Sequence, residues 1–207
     1  MTYRTHLSRD NRLKPLIDSH GPLKLVKRRN LCYLLCASII SQQLGTAVAK
    51  TIKQRFTDLF NGDIPGPEHI LGIRTAKLRS IGLSAAKASY IHNVARFAVD
   101  KGLGVRTLNK MTNEEVIEYL TQIKGVGPWT AEMQLMFTLG RPDVFSAGDG
   151  GIRSAMTTLY RLGRLSDSAA SEKIIEISGK WAPYRTYACM HLWKYKDSTT
   201  QPGRKKK

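Results

Sequence analysis

Apolar residues recur along this chain at the three-to-four-residue spacing of helices almost everywhere that a period can be seen. The segment from Leu31 to Ile40 is apolar on every face apart from Ser38, which predicts a central buried helix. No alternating apolar and polar pattern longer than a few residues competes with the helical pattern. The sequence therefore predicts an all-α fold.

Capping and breaking residues divide the chain into successive helices. Thr112 and Glu115 form a capping box, and Asp167 is expected to cap a later helix. The predicted helices are Arg9 to Ser19, Leu31 to Ile40, about Leu44 to Phe60, about Glu68 to Leu71, one from Ser84, Thr112 to about Ile123, Trp129 to Leu139, Gly150 to Leu162, Ser168 to Ser178, and Pro183 to about Lys196. We expect a single domain over residues 1–197, built as a two-lobed helical bundle with a cleft, and a basic, disordered tail over residues 198–207.

The charge is strongly one-sided, with 33 Lys and Arg against 16 Asp and Glu and a formal net charge of +17. Such an excess over 207 residues predicts a polyanionic partner, and nucleic acid is favoured. Net charge alone does not separate DNA from RNA, from anionic lipid or from a ribosomal role.

Cysteine usage and the N-terminus indicate the compartment. Cys32, Cys36 and Cys189 are expected to be reduced thiols of a cytosolic protein, because their spacing matches neither an iron–sulfur cluster nor a structural zinc site. The first residues, MTYRTHLSRDNR, include no apolar signal segment, and the longest apolar run is too short to span a bilayer. We expect no membrane association, no metal dependence and a cytoplasmic protein, which would be nucleoid-associated in a bacterium or nuclear in a eukaryote.

Two glycines interrupt the helical pattern in the segment Ile123-Lys124-Gly125-Val126-Gly127-Pro128. Glycine allows backbone angles that turn N–H groups outward, and a helix follows with its positive dipole end. A phosphate would fit there, so the candidate binding hairpin comprises Lys124, Gly125, Val126 and Gly127. An ordinary tight turn between two helices is the alternative interpretation.

The order of the sequence blocks resembles a known enzyme family. The segment LTQIKGVGPWTAEM followed by DVFSAGDGGIR is similar to the helix-hairpin-helix DNA glycosylases, and more closely to their 3-methyladenine DNA glycosylase II branch. The blocks SIISQQLGTAVA and KWAPYRTYACMHLW extend the resemblance from about Arg9 to Lys196. It implies a base excision repair hydrolase that flips an alkylated purine, such as 3-methyladenine or 7-methylguanine, out of double-stranded DNA and cuts its N-glycosidic bond.

The resemblance assigns catalysis to Asp149. A carboxylate beside C1′ can stabilise the oxocarbenium character that develops when the bond breaks, or orient the attacking water. Because Asp followed by two glycines also suits a helix N-cap, a structural role is the alternative, and the two roles are compatible. The nearby Asp143 is interpreted as structural.

Relatives that also nick the DNA strand carry a lysine nucleophile in the second helix of the hairpin motif. Trp129 occupies that position here, and Lys124 is out of register with it. The sequence therefore predicts a monofunctional enzyme without lyase activity. The resemblance implies no cofactor, although it allows a monovalent cation at the hairpin.

The base pocket is expected to include Trp129, Met133 and Trp193. A cationic alkylated purine stacked on an aromatic ring gains roughly 0.5 to 2 kcal/mol of cation–π attraction. Met133 stands where the family often has a further aromatic residue, which suggests a narrower or shifted substrate range. Both tryptophans would otherwise be ordinary core residues.

The gap left by an extruded base needs an occupant, and the resemblance places the intercalating wedge at Gln43, with Gln42 and Leu44 as the neighbouring alternatives. The alternative interpretation is that the polar residues of this turn simply end one helix before the next. Two other functions stay open: a noncatalytic helix-hairpin-helix binder of DNA structures, and a glycosylase for an oxidised or deaminated base. Duplex DNA is the expected partner, and a monomer is the expected state.

Overall fold

The computed structural model describes residues 1–200, and regular structure in that range is helical throughout, which confirms the predicted all-α class. The chain divides into two compact units, one formed by residues 1–25 with the chain from Arg141 onward, and the other by Val26–Gly140. The helices of the described residues are α1 (Tyr3–Leu7), α2 (Lys14–His20), α3 (Leu31–Ser41), α4 (Thr46–Asp58), α5 (Pro67–Gly72), α6 (Thr75–Ser80), α7 (Ala85–Asp100), α8 (Val105–Leu108), α9 (Asn113–Thr121), α10 (Pro128–Phe137), α11 (Gly150–Tyr160), α12 (Asp167–Gly179) and α13 (Arg185–Thr200).

Helix α3 is the centre of the unit Val26–Gly140, where it packs on α4, α7 and α10. Its fully buried side chains are Leu31, Leu35, Cys36, Ile39 and Ile40. Because burying one such aliphatic side chain contributes roughly 1.5–3 kcal/mol, α3 is a rigid support for the turn at its C-terminal end. That turn carries the predicted wedge.

In the other unit, α13 packs on α11 and α2. The Arg185 guanidinium at the start of α13 donates two hydrogen bonds to the Asp143 carboxylate, at 2.7 and 2.9 Å. Partial burial acts to raise the pKa of Asp143, but the bonds and charge of Arg185 outweigh it and hold that pKa below its ordinary value. Asp143 therefore fixes the segment leading to Asp149 against α13, in agreement with its predicted structural role.

Three short helices, α1, α6 and α8, have no counterpart in the sequence prediction. They contain only five, six and four residues, too few for an apolar period to emerge. The helix predicted from Arg9 begins only at Lys14, because the Asp10 side chain accepts hydrogen bonds from the N–H groups of Arg12 and Leu13 and holds a turn there.

Two predicted boundaries in the unit from Arg141 onward are corrected. Ser166, not Asp167, caps α12, because its hydroxyl accepts the Ala169 N–H. Helix α13 continues to residue 200 through the tail predicted from residue 198, and the Ser198 hydroxyl donates to the Tyr195 carbonyl. The rest of that predicted tail, residues 201–207, lies outside the described residues.

None of the helices formed by residues 1–200 combines the length and the apolar character needed to cross a bilayer.

Candidate active site

Asp149 is the N-cap of α11, and its carboxylate is oriented by two donors. Oδ1 accepts the Ile152 backbone N–H at 2.8 Å and the indole N–H of Trp193 at 2.9 Å. Only 8% of the residue is exposed. Both bonds fall on one oxygen, so the rotation of the carboxylate is fixed. The capping interpretation and a chemical role are therefore compatible in the structure.

A buried carboxylate at the N-terminus of a helix is a preorganised negative charge. The N–H groups and dipole of α11 favour an anion at this position, and protein atoms replace most of its water. A preformed charge of this kind can stabilise a positive charge that develops opposite it without waiting for solvent to reorganise. Such chemistry suits an oxocarbenium ion.

Gly151 is a residue of this site that sequence reasoning missed. A Cβ there would lie 3.0 Å from Asp149 Oδ1 and 3.3 Å from Trp193 Cδ1. Both distances are tighter than ordinary Cβ contacts, so alanine there would displace the indole or the carboxylate by a few tenths of an ångström. The second glycine after the aspartate is the available signal, but in the sequence alone it is equally explained by capping chemistry.

A cavity of about 790 Å³ lies within the unit Val26–Gly140. Trp129, Met133 and Phe137 line it from successive turns of one face of α10, and Gln43 lines it from the turn after α3. Trp129 is 45% exposed, so it is not a core residue. The cavity thus brings together two predicted pocket residues and the predicted wedge.

The predicted hairpin connects α9 to α10, and its two glycines differ. Gly125 has φ +106°, and a Cβ there would collide with the Tyr90 ring. Gly127 has φ −94° and is the exposed N-cap of α10, with no described atom within 4 Å of the place of a Cβ. Val126 between them is buried, and Lys124 is exposed. The turn is a genuine helix-hairpin-helix with an open N-terminal end.

Gln43 has a left-handed backbone with φ +56°, which is uncommon for a residue other than glycine. Its side chain is exposed, whereas Leu44 beside it is half-buried. This conformation turns Gln43 out of the helical path of α3, as a wedge requires. Its insertion into DNA stays a prediction.

The remaining predicted residues fall into two groups. Asp149 and Trp193 are bonded to each other in the unit from Arg141 onward, whereas Trp129, Met133, Gln43 and the hairpin belong to Val26–Gly140. His191, two residues before Trp193 in α13, is fully buried, with its Nδ1 3.2 Å from that of His20. Its position favours a structural role.

Among residues 1–200, no group of three His, Cys, Asp or Glu side chains is arranged to hold a metal ion. The hairpin carbonyls of Lys124 and Gly125 accept hydrogen bonds from the side chains of Asn93 and Gln42. A monovalent cation would have to use their remaining lone pairs. Such a cation stays a prediction.

An all-helical fold with this hairpin and an oriented aspartate at the next helix is typical of DNA glycosylases. Residues 36–182 match the model of the HhH-GPD superfamily of base excision DNA repair proteins, and the chain belongs to that superfamily.

Relatives and solved structures agree with this family. The chain is 35% identical to DNA-3-methyladenine glycosylase 1 of Schizosaccharomyces pombe over 95% of this chain and 86% of that protein. It matches the crystal structure of DNA-3-methyladenine glycosidase from Bacillus halodurans with a TM-score of 0.84 and 34% identity, covering 98% and 92% of the two chains. It matches the Schizosaccharomyces pombe 3-methyladenine DNA glycosylase Mag1, solved with abasic DNA, with a TM-score of 0.83 and 33% identity, covering 99% and 100%. The predicted branch of the superfamily is confirmed.

Proposed function

We propose that this protein hydrolyses the N-glycosidic bond of alkylated, positively charged purines such as 3-methyladenine and 7-methylguanine in duplex DNA. The observation that carries the proposal is the buried Asp149 carboxylate, held at Oδ1 by Ile152 and Trp193. The relatives named as 3-methyladenine glycosylases support this substrate class.

The chemistry that we propose needs one ionised carboxylate and no general acid to protonate the leaving base. When the bond between C1′ and N9 breaks, its electron pair goes to the purine and neutralises the positive charge that the alkyl group created. The sugar becomes an oxocarbenium ion, which Asp149 stabilises electrostatically. Water then bonds to C1′ and releases a proton, which leaves an abasic site and a free neutral base.

The cavity in Val26–Gly140 supports a binding role for Trp129 and Met133. An exposed tryptophan at its wall offers an electron-rich face to a cationic base. Met133, one turn further along α10, is softer than an aromatic ring and stacks less strongly on a base, which favours a narrower or shifted range of alkylated purines. Stacking by Trp193 stays a prediction, but its hydrogen bond to Asp149 gives it a supporting role in any case.

We propose that the hairpin binds one DNA strand through its phosphates, with Lys124 adding a charge. Contacts of this kind carry no sequence information, which suits an enzyme that inspects every site. We further propose that the protein acts as a monomer and leaves the abasic strand uncut. Trp129 at the second position of α10 supports the absence of lyase activity, because it replaces the lysine that would form a Schiff base.

The test replaces Asp149 with asparagine. The amide oxygen can still accept the N–H groups of Ile152 and Trp193, so the cap and the fold are retained while the charge is lost. We expect release of methylated purines from alkylated duplex DNA to fall at least about 100-fold, with the melting temperature changed by only a few degrees. Mass spectrometry should confirm that the new Asn-Gly pair has not deamidated back to aspartate.

Three outcomes would contradict the proposal. Undiminished release by Asp149→Asn would remove the carboxylate from the chemistry. A wild-type protein that binds duplex DNA but releases no alkylated base would be a noncatalytic binder. Strand cleavage, or covalent trapping of the protein on DNA by borohydride, would show a lyase.

A further inference from the structure

Lys87, in the first turn of α7, is directed at the C-terminal end of α3. Its ammonium donates to the carbonyl oxygens of Ile40, at 2.9 Å, and Gln42, at 2.6 Å. Gln42 is the C-cap of α3, so both acceptors lie at the end of the helix, where carbonyl groups have no N–H partner within the helix. The negative end of the α3 dipole also favours a cation there. Lys87 therefore closes the end of α3 from another helix.

The side chain of Gln42 extends the same connection to the hairpin. Its amide nitrogen lies 3.3 Å from the Gly125 carbonyl oxygen and 3.5 Å from the Thr130 hydroxyl. Its backbone carbonyl is held by Lys87 at the same time. One residue thus joins the end of α3, the start of α7 and the hairpin.

The next residue along the chain is Gln43, which has the left-handed backbone. A residue other than glycine keeps such a conformation only when its surroundings hold it. Here the preceding residue is fixed through both its carbonyl and its side chain. The strain at Gln43 and the bonds at Gln42 are therefore parts of one arrangement.

We propose that Lys87 and Gln42 are positioning residues for base extrusion, which lock the 42–44 turn so that Gln43 stands at a fixed place relative to the hairpin. The inference rests on the proposed function and on Gln43 as the wedge. While the hairpin holds the DNA backbone, a wedge in fixed register with it can fill the gap as the base leaves.

The test compares Lys87→Met, which keeps the length and loses the donor, with Lys87→Arg, which keeps both. Lys110→Met, at an exposed lysine of the same unit, controls for the lost charge. Each variant is given duplexes carrying one alkylated purine, either paired normally or opposite an abasic site, where extrusion costs less. Single-turnover excision is measured on both duplexes.

We expect Lys87→Met to excise the paired lesion roughly 10- to 100-fold more slowly and the unpaired lesion at close to the wild-type rate. Lys87→Arg should recover much of the loss, and Lys110→Met should behave as wild type on both duplexes. Gln42→Leu, which changes no charge, should reproduce the Lys87→Met pattern. Melting temperatures identify any variant that fails to fold, and the other position then carries the test.

Lys87 would act differently if it bound a DNA phosphate. Its loss would then weaken binding to every duplex and reduce the slope of log K against log salt by about 0.9. Such a reduction, equal slowing on both duplexes, or an unchanged rate on the paired lesion would each overturn the proposal. Fluorescence of 2-aminopurine at the target site reports extrusion without bond cleavage, so positioning is measured even if the wild type releases no alkylated base.

Discussion

The two glycines of the hairpin should respond oppositely to alanine. At Gly125, a Cβ would lie 2.6 Å from Tyr90 Cβ, closer than folded proteins tolerate, and the φ of +106° is strained for any residue with a side chain. At Gly127 the φ of −94° is ordinary, and the place of a Cβ has no described atom within 4 Å. The comparison therefore separates a glycine required by the fold from one required by a ligand.

The cost at Gly125 has two parts. Overpacking against Tyr90 costs about 1–3 kcal/mol, and the backbone conformation costs about 1–3 kcal/mol more. A total of about 2–6 kcal/mol corresponds to a melting temperature lowered by roughly 4–24 °C in a protein of this size. Gly127→Ala replaces one weak N-cap with a poorer one and should cost at most about 1 kcal/mol.

The assay pairs thermal denaturation with DNA binding. Gly127→Ala should fold normally but bind duplex DNA more weakly, because its methyl group occupies the open space where a phosphate would approach. Adding Tyr90→Gly to Gly125→Ala removes both the ring and the Cβ of residue 90, so it should recover the overpacking part of the loss, measured against Tyr90→Gly alone, and leave the backbone part. The reasoning is refuted if Gly125→Ala is as stable as the wild type, or if Gly127→Ala is the less stable of the two.

Two further predictions concern the unit that contains Asp149. Trp193→Phe keeps a ring but removes the donor to Asp149 Oδ1, so kcat should fall roughly 10-fold or more while DNA affinity stays near that of the wild type. An unchanged kcat would show that this hydrogen bond does not orient the carboxylate. Burial and the charges of His20, Lys194 and Arg4 lower the pKa of His191 to about 4 in the folded protein. In the unfolded state its pKa is near 6.5, so the unfolded state takes up the proton first as the pH falls. The stability that His191 contributes is thus complete above pH 6.5 and is lost as the pH falls towards 4. Between pH 7 and pH 4.5, the free energy of unfolding measured in urea should fall by roughly 2–3 kcal/mol more for the wild type than for His191→Leu. Equal losses in the two proteins would contradict the assignment.

What the sequence predicts well is carried by neighbouring residues. The run that forms α3 is apolar on every face. The glycines around Val126 and the aspartate before α11 can also be recognised from residues a few positions apart. The family resemblance then adds roles to positions that periodicity cannot distinguish, such as Trp129 on the exposed face of α10.

What the sequence does not predict depends on contacts between distant segments. Lys87 is an ordinary helix lysine until α7 is packed on α3, which brings its ammonium to carbonyls 45 and 47 residues away. The sequence does not distinguish Gln42 from Gln43. The structure shows that the Gln42 side chain bonds to the hairpin, whereas the left-handed backbone of Gln43 turns its side chain outward.

The absent side chain at Gly151 bears on how activity should be inferred for other members of this superfamily. An aspartate aligned with Asp149 is not sufficient evidence of the same active site. The indole of Trp193 bonds to Asp149 across a helical turn where residue 151 has no side chain. In a homologue with alanine or a larger residue at that place, the indole and the aspartate would have to shift, and their hydrogen bond would change in length or angle. Surveys of such sequences would therefore classify proteins more faithfully by scoring the three positions jointly.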